Sequence, residues 1–403
     1  MIDVLVIGAG AAGLFAASAF TRAGLEVEVW EKREERARLS RAIGVHAPAL
    51  AALERVGVAD PLISEAVRVR RGHARVAPVV GTAVRPRHVG TVSFDSVSRR
   101  FPFVATLPQH RTEALLEESM RAAGAAPVRY GLEVVGVAPD PRGVTVRGES
   151  TRRDDAGRAH SRASTEVRAR FVVIADGPDS PARRRLGVRT SGRTYRDHYL
   201  MGDVADSTPD GDDAVVTLTP DGVVESFPLP GGVRRFVAHT PVLLPDAGPD
   251  VLARLVATRA GLNVDPATAT FVSAFGVRRS IAERMAVGTR VAVVGDAAHE
   301  ISPIGGQGMN LGWLDVAALV PVVVDLLTDP AVADGLESWA RARRAAAVSA
   351  ARQAEVNMAL SAPGSALGLR TRGAVLSRAL RGAGASRLGR VYAMGGDGAM
   401  GGD

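Results

Sequence analysis

Residues 290–312 read RVAVVGDAAHEISPIGGQGMNLG. Val291 to Val294 form an apolar run that predicts a buried strand, and Asp296 stands just past its end. The small-residue turn Pro303-Ile304-Gly305-Gly306 follows, and then an apolar-periodic segment that predicts a helix. Strand, acid, glycine turn and helix start make a ligand-facing combination. The acid accepts hydrogen bonds from sugar hydroxyls, and the free amides of a helix N-terminus hold partial negative charge on a ring or phosphate. Taken alone, the same pattern also serves a plain strand-turn-helix junction with glycines for tightness.

Two further stretches argue against that plainer reading. Residues 2–14, IDVLVIGAGAAGL, place Gly8, Gly10, Ala11, Ala12 and Gly13 in a Gly-x-Gly-x-x-Gly turn between the apolar run Val4 to Ile7 and a helix-like Ala/Leu segment. A second strand, Leu25 to Trp30, then delivers Glu31, 18 positions after Gly13 and close to the spacing at which an acid meets the ribose of a dinucleotide. The expectation is that Asp296 holds the ribityl chain of a flavin and that the Gly305 to Asn310 amides face its ring. Phe171 to Ala175 predicts another buried strand, ending in Asp176-Gly177-Pro178-Asp179-Ser180-Pro181-Ala182-Arg183, where Asp176 and Arg183 would fix a tight turn near a dinucleotide. Arg41 would reach a pyrophosphate or the flavin edge, unless it is a solvated loop arginine.

The chain has 403 residues, more than one average domain. It has no cysteine, which excludes disulfides, thiolate catalysis and zinc-thiolate sites. The first strand begins at Ile2 with no charged, apolar leader, which predicts a cytoplasmic protein. The most apolar segment, Val316 to Leu327, reads as too short to span a bilayer. A net charge of +7 rests on arginine, since Lys32 is the single lysine. The arginines are spread among acids with few aromatics to stack on bases, so nucleic acid is not an expected partner. His299 lacks a partner at metal-ligand spacing; it reads as a structural histidine, and no metal is expected.

In chain order, Ile2 to Glu31 reads as a β-α-β unit, Pro48 to Val56 and Glu113 to Ala123 as helices, and 127–149 as a hairpin. Residues 149–166 read as an exposed excursion. Alternating runs at Tyr199 to Val204, Ala214 to Leu218, Val223 to Phe227 and Arg234 to Thr240 predict a mostly antiparallel sheet, crossed by a helix at Asp250 to Ala260. Helices are expected from the glycine turn to about Leu327, from Ala331 to about Leu360, and near Ala374 to Leu380. The predicted fold is α/β. A Rossmann-like FAD-binding domain (1–70, 105–186 and 281–330) carries an inserted, mostly antiparallel substrate-binding sheet (71–104 and 187–280). C-terminal helices (331–392) and a flexible tail (393–403) complete the chain.

Gly8 to Gly13, Asp176 to Arg183 and Gly295 to Asn310, in this order with an antiparallel sheet between the second and third, resemble the class A flavoprotein monooxygenases of the para-hydroxybenzoate hydroxylase fold. Arg41 to His46 and Pro108-Gln109 resemble the aromatic polyketide hydroxylases of that group. The similarity covers about Ile2 to Trp339. The resemblance implies FAD held by Gly8, Gly10, Ala11, Ala12, Gly13, Glu31, Lys32, Arg41, Gln109, Gly295, Asp296, Gly308, Met309 and Asn310, with Asp176, Gly177 and Arg183 serving FAD and NAD(P)H together. It also implies that the chain ends before the thioredoxin-like domain of larger members.

The implied chemistry is reduction of FAD by NADPH or NADH, addition of O2 at flavin C4a, and transfer of one oxygen from the hydroperoxide to an aromatic or polyketide-like small molecule. The cofactor does the hard step and the protein positions it. Pro303, Gly305 and Gly306 would wall the oxygen side and let the backbone approach the ring. Substrate contacts are expected from the inserted sheet, at Tyr199, Met201, Phe227, Phe236, His239 and Phe275, although alternating apolar residues also serve plain packing. Rival readings are an FAD-linked reductase, a flavin-binding sensor and a halogenase. Halogenases resemble one another through a Trp-x-Trp-x-Ile-Pro run, whereas Trp30, Trp313 and Trp339 are isolated.

Overall fold

The strand Ile2–Ile7 pairs in parallel with Val27–Glu31 on one side and with Ser164–Ile174 on the other, and Ser164–Ile174 pairs in parallel with Val291–Val293. The three motif-bearing strands therefore lie side by side, and all three motifs leave the sheet at its carboxyl edge. An open parallel sheet presents its ligand crevice at that edge. The computed structural model that shows this describes residues 1–36, 42–77, 81, 85–150, 164–329, 334–381, 383–392 and 394.

Close backbone approach explains why glycine occupies two of these positions. A Cβ on Gly13 would stand 1.9 Å from the Gly8 carbonyl oxygen, so the helix Ala11–Arg22 could not pack onto its strand. Gly8 has φ +103°, and a Cβ there would meet the Ala175 carbonyl oxygen at 2.4 Å. The second motif thus crosses directly over the first.

The second sheet has the order His299–Glu300, Phe271–Ala282, Thr190–Ala205, Val233–Thr240, Gly222–Leu229, Ala214–Thr219, Arg71–Val76, Arg87–Ser93. Its pairings are antiparallel except that of Ala214–Thr219 with Arg71–Val76. One face carries Leu200, Val224, Phe236 and Ala238 and packs under the helix Pro249–Ala260 through Leu252 and Val256. Phe236 was expected at the substrate; the structure corrects this, because it points away from the crevice into that helix.

The helix Gly308–Thr328 is 21 residues long, longer than the apolar segment read from the sequence. By length and composition it could cross a membrane, but half of its most apolar window is buried inside the protein, with Trp313, Val316, Leu319 and Val323 in the core. Asp334–Ser361 and Ala366–Ala379 follow it, the latter starting a full two turns before the predicted Ala374. Ala383–Tyr392 is a helix the sequence reading missed, since Gly384 and Gly389 lower its helical propensity. Of the predicted exposed excursion, 151–163 lie outside the described residues and the flanks are strand; the predicted tail lies outside them save Met394.

His299, Asp315 and Arg343 join the third motif to the two long helices. His299 Nε2 lies 2.5 Å from Asp315 Oδ2, which also accepts from the Gly295 amide at 3.2 Å, while Arg343 Nε donates to Oδ1 at 2.8 Å. Trp339 Nε1 donates to the Asp315 carbonyl at 3.0 Å. Burial alone would raise the Asp315 pKa, but His299 and Arg343 outweigh it and hold the carboxyl below its ordinary range. Burial likewise opposes the His299 charge, and Asp315 outweighs it, leaving the imidazole above its ordinary value. His299 is thus a structural histidine.

Removing one member of a buried ion pair strands its partners, so Asp315→Asn is expected to lower stability by about 3–5 kcal/mol in urea unfolding. The stabilisation from His299 is fully present below its unfolded pKa and is lost as pH rises through the raised folded value. That from Asp315 is present above its unfolded pKa and lost as pH falls through the depressed folded one. His299→Gln should therefore separate from the parent in thermal melts near neutral and acid pH and converge with it in the alkaline range; a constant gap would contradict the assignment.

Candidate functional site

A cavity of about 730 Å³ runs from Gly8 and Gly10 past Glu31, Asp176 and Asp296 to the inner face of the second sheet. At its first end, Glu31 closes the strand Val27–Glu31. Its Oε2 accepts the Ala9 amide at 2.8 Å, and Arg33 Nε donates to Oε1 at 3.0 Å. Burial opposes the Glu31 charge, but Arg33 and the Ala9 amide outweigh it, so the carboxyl is held below its ordinary pKa. Lys32 and Arg33 line the cavity beside it. Gln109 Nε2 donates to Glu113 Oε1 at 2.8 Å, and both face the glycine turn. Glu113 carries no motif and sequence reasoning passed over it as an ordinary helix acid; burial raises its pKa.

At the middle, Gly295–Ala297 forms a single 3-10 turn. A Cβ on Gly295 would lie 3.0 Å from the Ala12 Cβ, and one on Gly312 would lie 3.1 Å from the Gly295 Cα, so the third motif rests directly on the first motif's helix. Asp296 is exposed, and the space it is exposed to is the cavity; the protein packed around it raises its pKa. Among the described residues it has no hydrogen-bond partner. An acceptor-only carboxylate that faces a cavity with no protein donor suits the hydroxyls of a ligand.

Pro303, Gly305 and Gly306 line the next part of the wall, with Gly308 and Met309. Gly305 has φ +102° and Gly306 φ +66°, so glycine is needed here for backbone conformation as well as clearance. Gln307, at the N-cap of Gly308–Thr328, makes no side-chain capping bond, which leaves the first-turn amides available. Asn310 was expected among the cofactor contacts, but the structure turns it to another use and it does not line the cavity. Its Nδ2 donates to the Gly44 and Gly306 carbonyls at 3.0 and 2.7 Å, and its Oδ1 accepts the His46 amide at 2.9 Å.

The second motif also divides. Asp176 and Gly177 line the cavity, and Gly177 has φ +87°. Asp176 accepts from the Ser180 hydroxyl and, at 3.0 Å, from the Ala182 amide, which fixes the turn; burial raises its pKa against those bonds. Arg183 does not line the cavity. Its Nη1 donates to the Ala297 carbonyl at 2.5 Å and so braces the second motif against the third. Gly13 is likewise a packing residue. Arg41 lies outside the described residues.

At the far end, Met201, Phe227 and Phe275 line the cavity, whereas Tyr199 and His239 do not. Tyr199 stacks on Phe275 at 5.5 Å and meets His239 edge-on at 5.4 Å, one layer behind the wall. His239 Nε2 pairs with Asp197 at 3.2 Å. Among the polar wall residues that the sequence reading did not assign to the site are His46, Glu225 and Tyr392. Burial pushes the His46 imidazole down to about 4 and the Glu225 carboxyl up to about 7. The available signal was parity, since Glu225 shares its strand face with Val223 and Phe227.

Residues 1–354 match the family model described as "FAD binding domain". The chain is 34% identical over 352 residues to 6-methylpretetramide 4-monooxygenase of Streptomyces rimosus, covering 85% of this chain and 59% of that protein. It is 32% identical over 325 residues to rifampicin monooxygenase of Streptomyces venezuelae, covering 78% and 62% respectively. It thus spans about three fifths of the length of these curated relatives. Among solved structures it is similar to an anhydrotetracycline hydroxylase from Streptomyces rimosus, with TM-score 0.75, 25% identity, and 98% of this chain and 76% of that one covered. A p-nitrophenol 4-monooxygenase from Pseudomonas putida shares the fold along nearly its whole length, with TM-score 0.83, 21% identity, and coverage of 98% and 99%.

If Asp296 is the ribityl partner, Asp296→Ala removes a charge-assisted hydrogen bond worth about 1.5–3 kcal/mol, and FAD affinity should fall by about one to two orders of magnitude. Equilibrium dialysis with absorbance detection measures this; unchanged retention of FAD would refute the assignment.

Proposed function

The chain belongs to the FAD binding domain family, and from that premise we propose that it is an FAD-dependent monooxygenase. In this reading it uses NAD(P)H and O2 to oxygenate, by hydroxylation, an aromatic or polyketide-like small molecule. The observation that carries it is the Asp296 carboxylate, without a partner among the described residues, facing a cavity that both glycine motifs line. FAD, when bound, supplies electron transfer from the nicotinamide to O2 and delivery of one oxygen atom.

In this reading the protein's share is to hold the cofactor. The Ala11–Arg22 N-terminus and its glycines would donate amides to the pyrophosphate, with Glu31 on the adenosine ribose. Asp296 would take the ribityl hydroxyls. The first-turn amides at Gly308 and Met309 would stabilise negative charge on the reduced flavin, for which a partly buried helix N-terminus is worth up to about 2 kcal/mol. Asp176 and Gly177 would serve FAD and the nicotinamide together.

We assign FAD binding to 1–70, 105–186 and 281–330 and the substrate chamber to 71–104 and 187–280, with Tyr392 of the last helix closing it. Met201, Val216, Phe227, Val237 and Phe275 exclude water from that chamber, which strengthens every electrostatic contact inside it. Similarity to relatives named for tetracycline-type and rifampicin oxygenation supports a polycyclic substrate.

Stopped-flow mixing of the NAD(P)H-reduced, FAD-loaded protein with O2 discriminates this reading from a reductase or a sensor. A transient absorbance distinct from both reduced and oxidised flavin is expected. Direct return to the oxidised spectrum, with peroxide as the only oxygen product, would overturn it.

A further inference from the structure

The register of the second sheet sets one rung of side chains across the chamber floor. Val216 lies opposite Glu225, Glu225 opposite Val237, and Val237 opposite Met201, while Ala74 lies opposite Val216 on the far side. Directly opposed residues point to the same face, and all five line the cavity. The rung is therefore apolar throughout except for one carboxyl at its centre.

Glu225 is 6% exposed and has no hydrogen bond or ion pair among the described residues. Arg235, on the same face of the sheet, is held by Asp203 through two bonds of 2.6 and 2.7 Å. Across the chamber stands Tyr392, packed against Phe94 and His46, each with ring centroids 6.1 Å away. Its hydroxyl also lacks a partner among the described residues, and burial together with the nearby Glu225 raises its pKa. A lone buried carboxyl destabilises a fold, and an apolar residue in that rung would pack without such a cost. Its presence is explained if a ligand supplies the missing donor.

We propose that Glu225 is the specificity-determining residue of the chamber, accepting a hydrogen bond from a ring hydroxyl of a neutral, fused-ring aromatic ligand. Resting on the monooxygenase reading, this narrows its substrate class to uncharged phenols. A ligand carboxylate at that position sets a second negative charge against the Glu225 carboxylate with no donor between them, and is rejected once Glu225 is ionised, above about pH 7.

The test uses the FAD-loaded protein at about pH 8, where Glu225 is ionised, and three probes of one shape: 1-naphthol, naphthalene and 1-naphthoate, titrated against the bound-flavin difference spectrum. The parent should bind 1-naphthol at least about tenfold tighter than either other probe, the factor that about 1.4 kcal/mol provides. In Glu225→Leu the naphthol-to-naphthalene ratio should fall to near one, and the thermal midpoint should rise because the stranded carboxyl is gone. Glu225→Gln, which keeps an acceptor and adds a donor, should retain the naphthol preference and bind 1-naphthoate about tenfold better than the parent.

Equal binding of the three probes by the parent would overturn the proposal, as would an unchanged ratio in Glu225→Leu. A lowered midpoint in that variant would also overturn it, by revealing a structural partner such as Tyr392. These outcomes are distinguishable from failure of the monooxygenase reading, which would appear as direct return of the reduced, FAD-loaded protein to the oxidised spectrum on mixing with O2 while the probe ratios are untouched.

Discussion

The molecule depends on how closely three backbones can approach at the carboxyl edge of one parallel sheet. Gly8 meets Ala175 and Gly13 meets Gly8 at separations where a Cβ would collide, and Gly295 rests between Ala12 and Gly312 where a Cβ would be tightly squeezed. Only because these positions carry hydrogen or methyl can the motifs converge on a shared cavity. The strands themselves are ordinary apolar runs, buried on both faces as parallel strands usually are.

Convergence then has to be held. Asn310 ties the Gly44–His46 segment to the Gly306 turn with three hydrogen bonds, and Arg183 ties the second motif to the third. Asp315 collects His299, Arg343 and the Gly295 amide into one buried network. These bonds use up side chains that stand next to the ligand cavity. Asp296, by contrast, faces the cavity with no donor among the described residues, and on the proposed reading this division between bracing groups and open groups locates the chemistry.

Much of this was legible in the sequence because each motif is local: an apolar run, a glycine turn and an acid within a short stretch specify a strand end that faces a ligand. What was not legible depends on contacts distant in sequence. Asn310 stands in the glycine motif, yet its partners are at 44–46, more than 260 positions away. In the second sheet, alternation separates the two faces of a strand without saying which is inner. Choosing both Phe236 and His239 took one residue from each face, and the register put Phe236 under the helix Pro249–Ala260. Glu225 escaped notice because an acid in an apolar strand reads as a position facing water, and only the cross-strand rung reveals that it faces a closed chamber.

A crystal structure of the protein loaded with FAD tests the central claim most directly. The account predicts one FAD molecule spanning the three motifs, with the Asp296 carboxylate within hydrogen-bond distance of a ribityl hydroxyl and the flavin ring over the Gly305–Gly306 turn. FAD bound elsewhere on the chain, or an Asp296 carboxylate turned away from the ribityl chain, would contradict it.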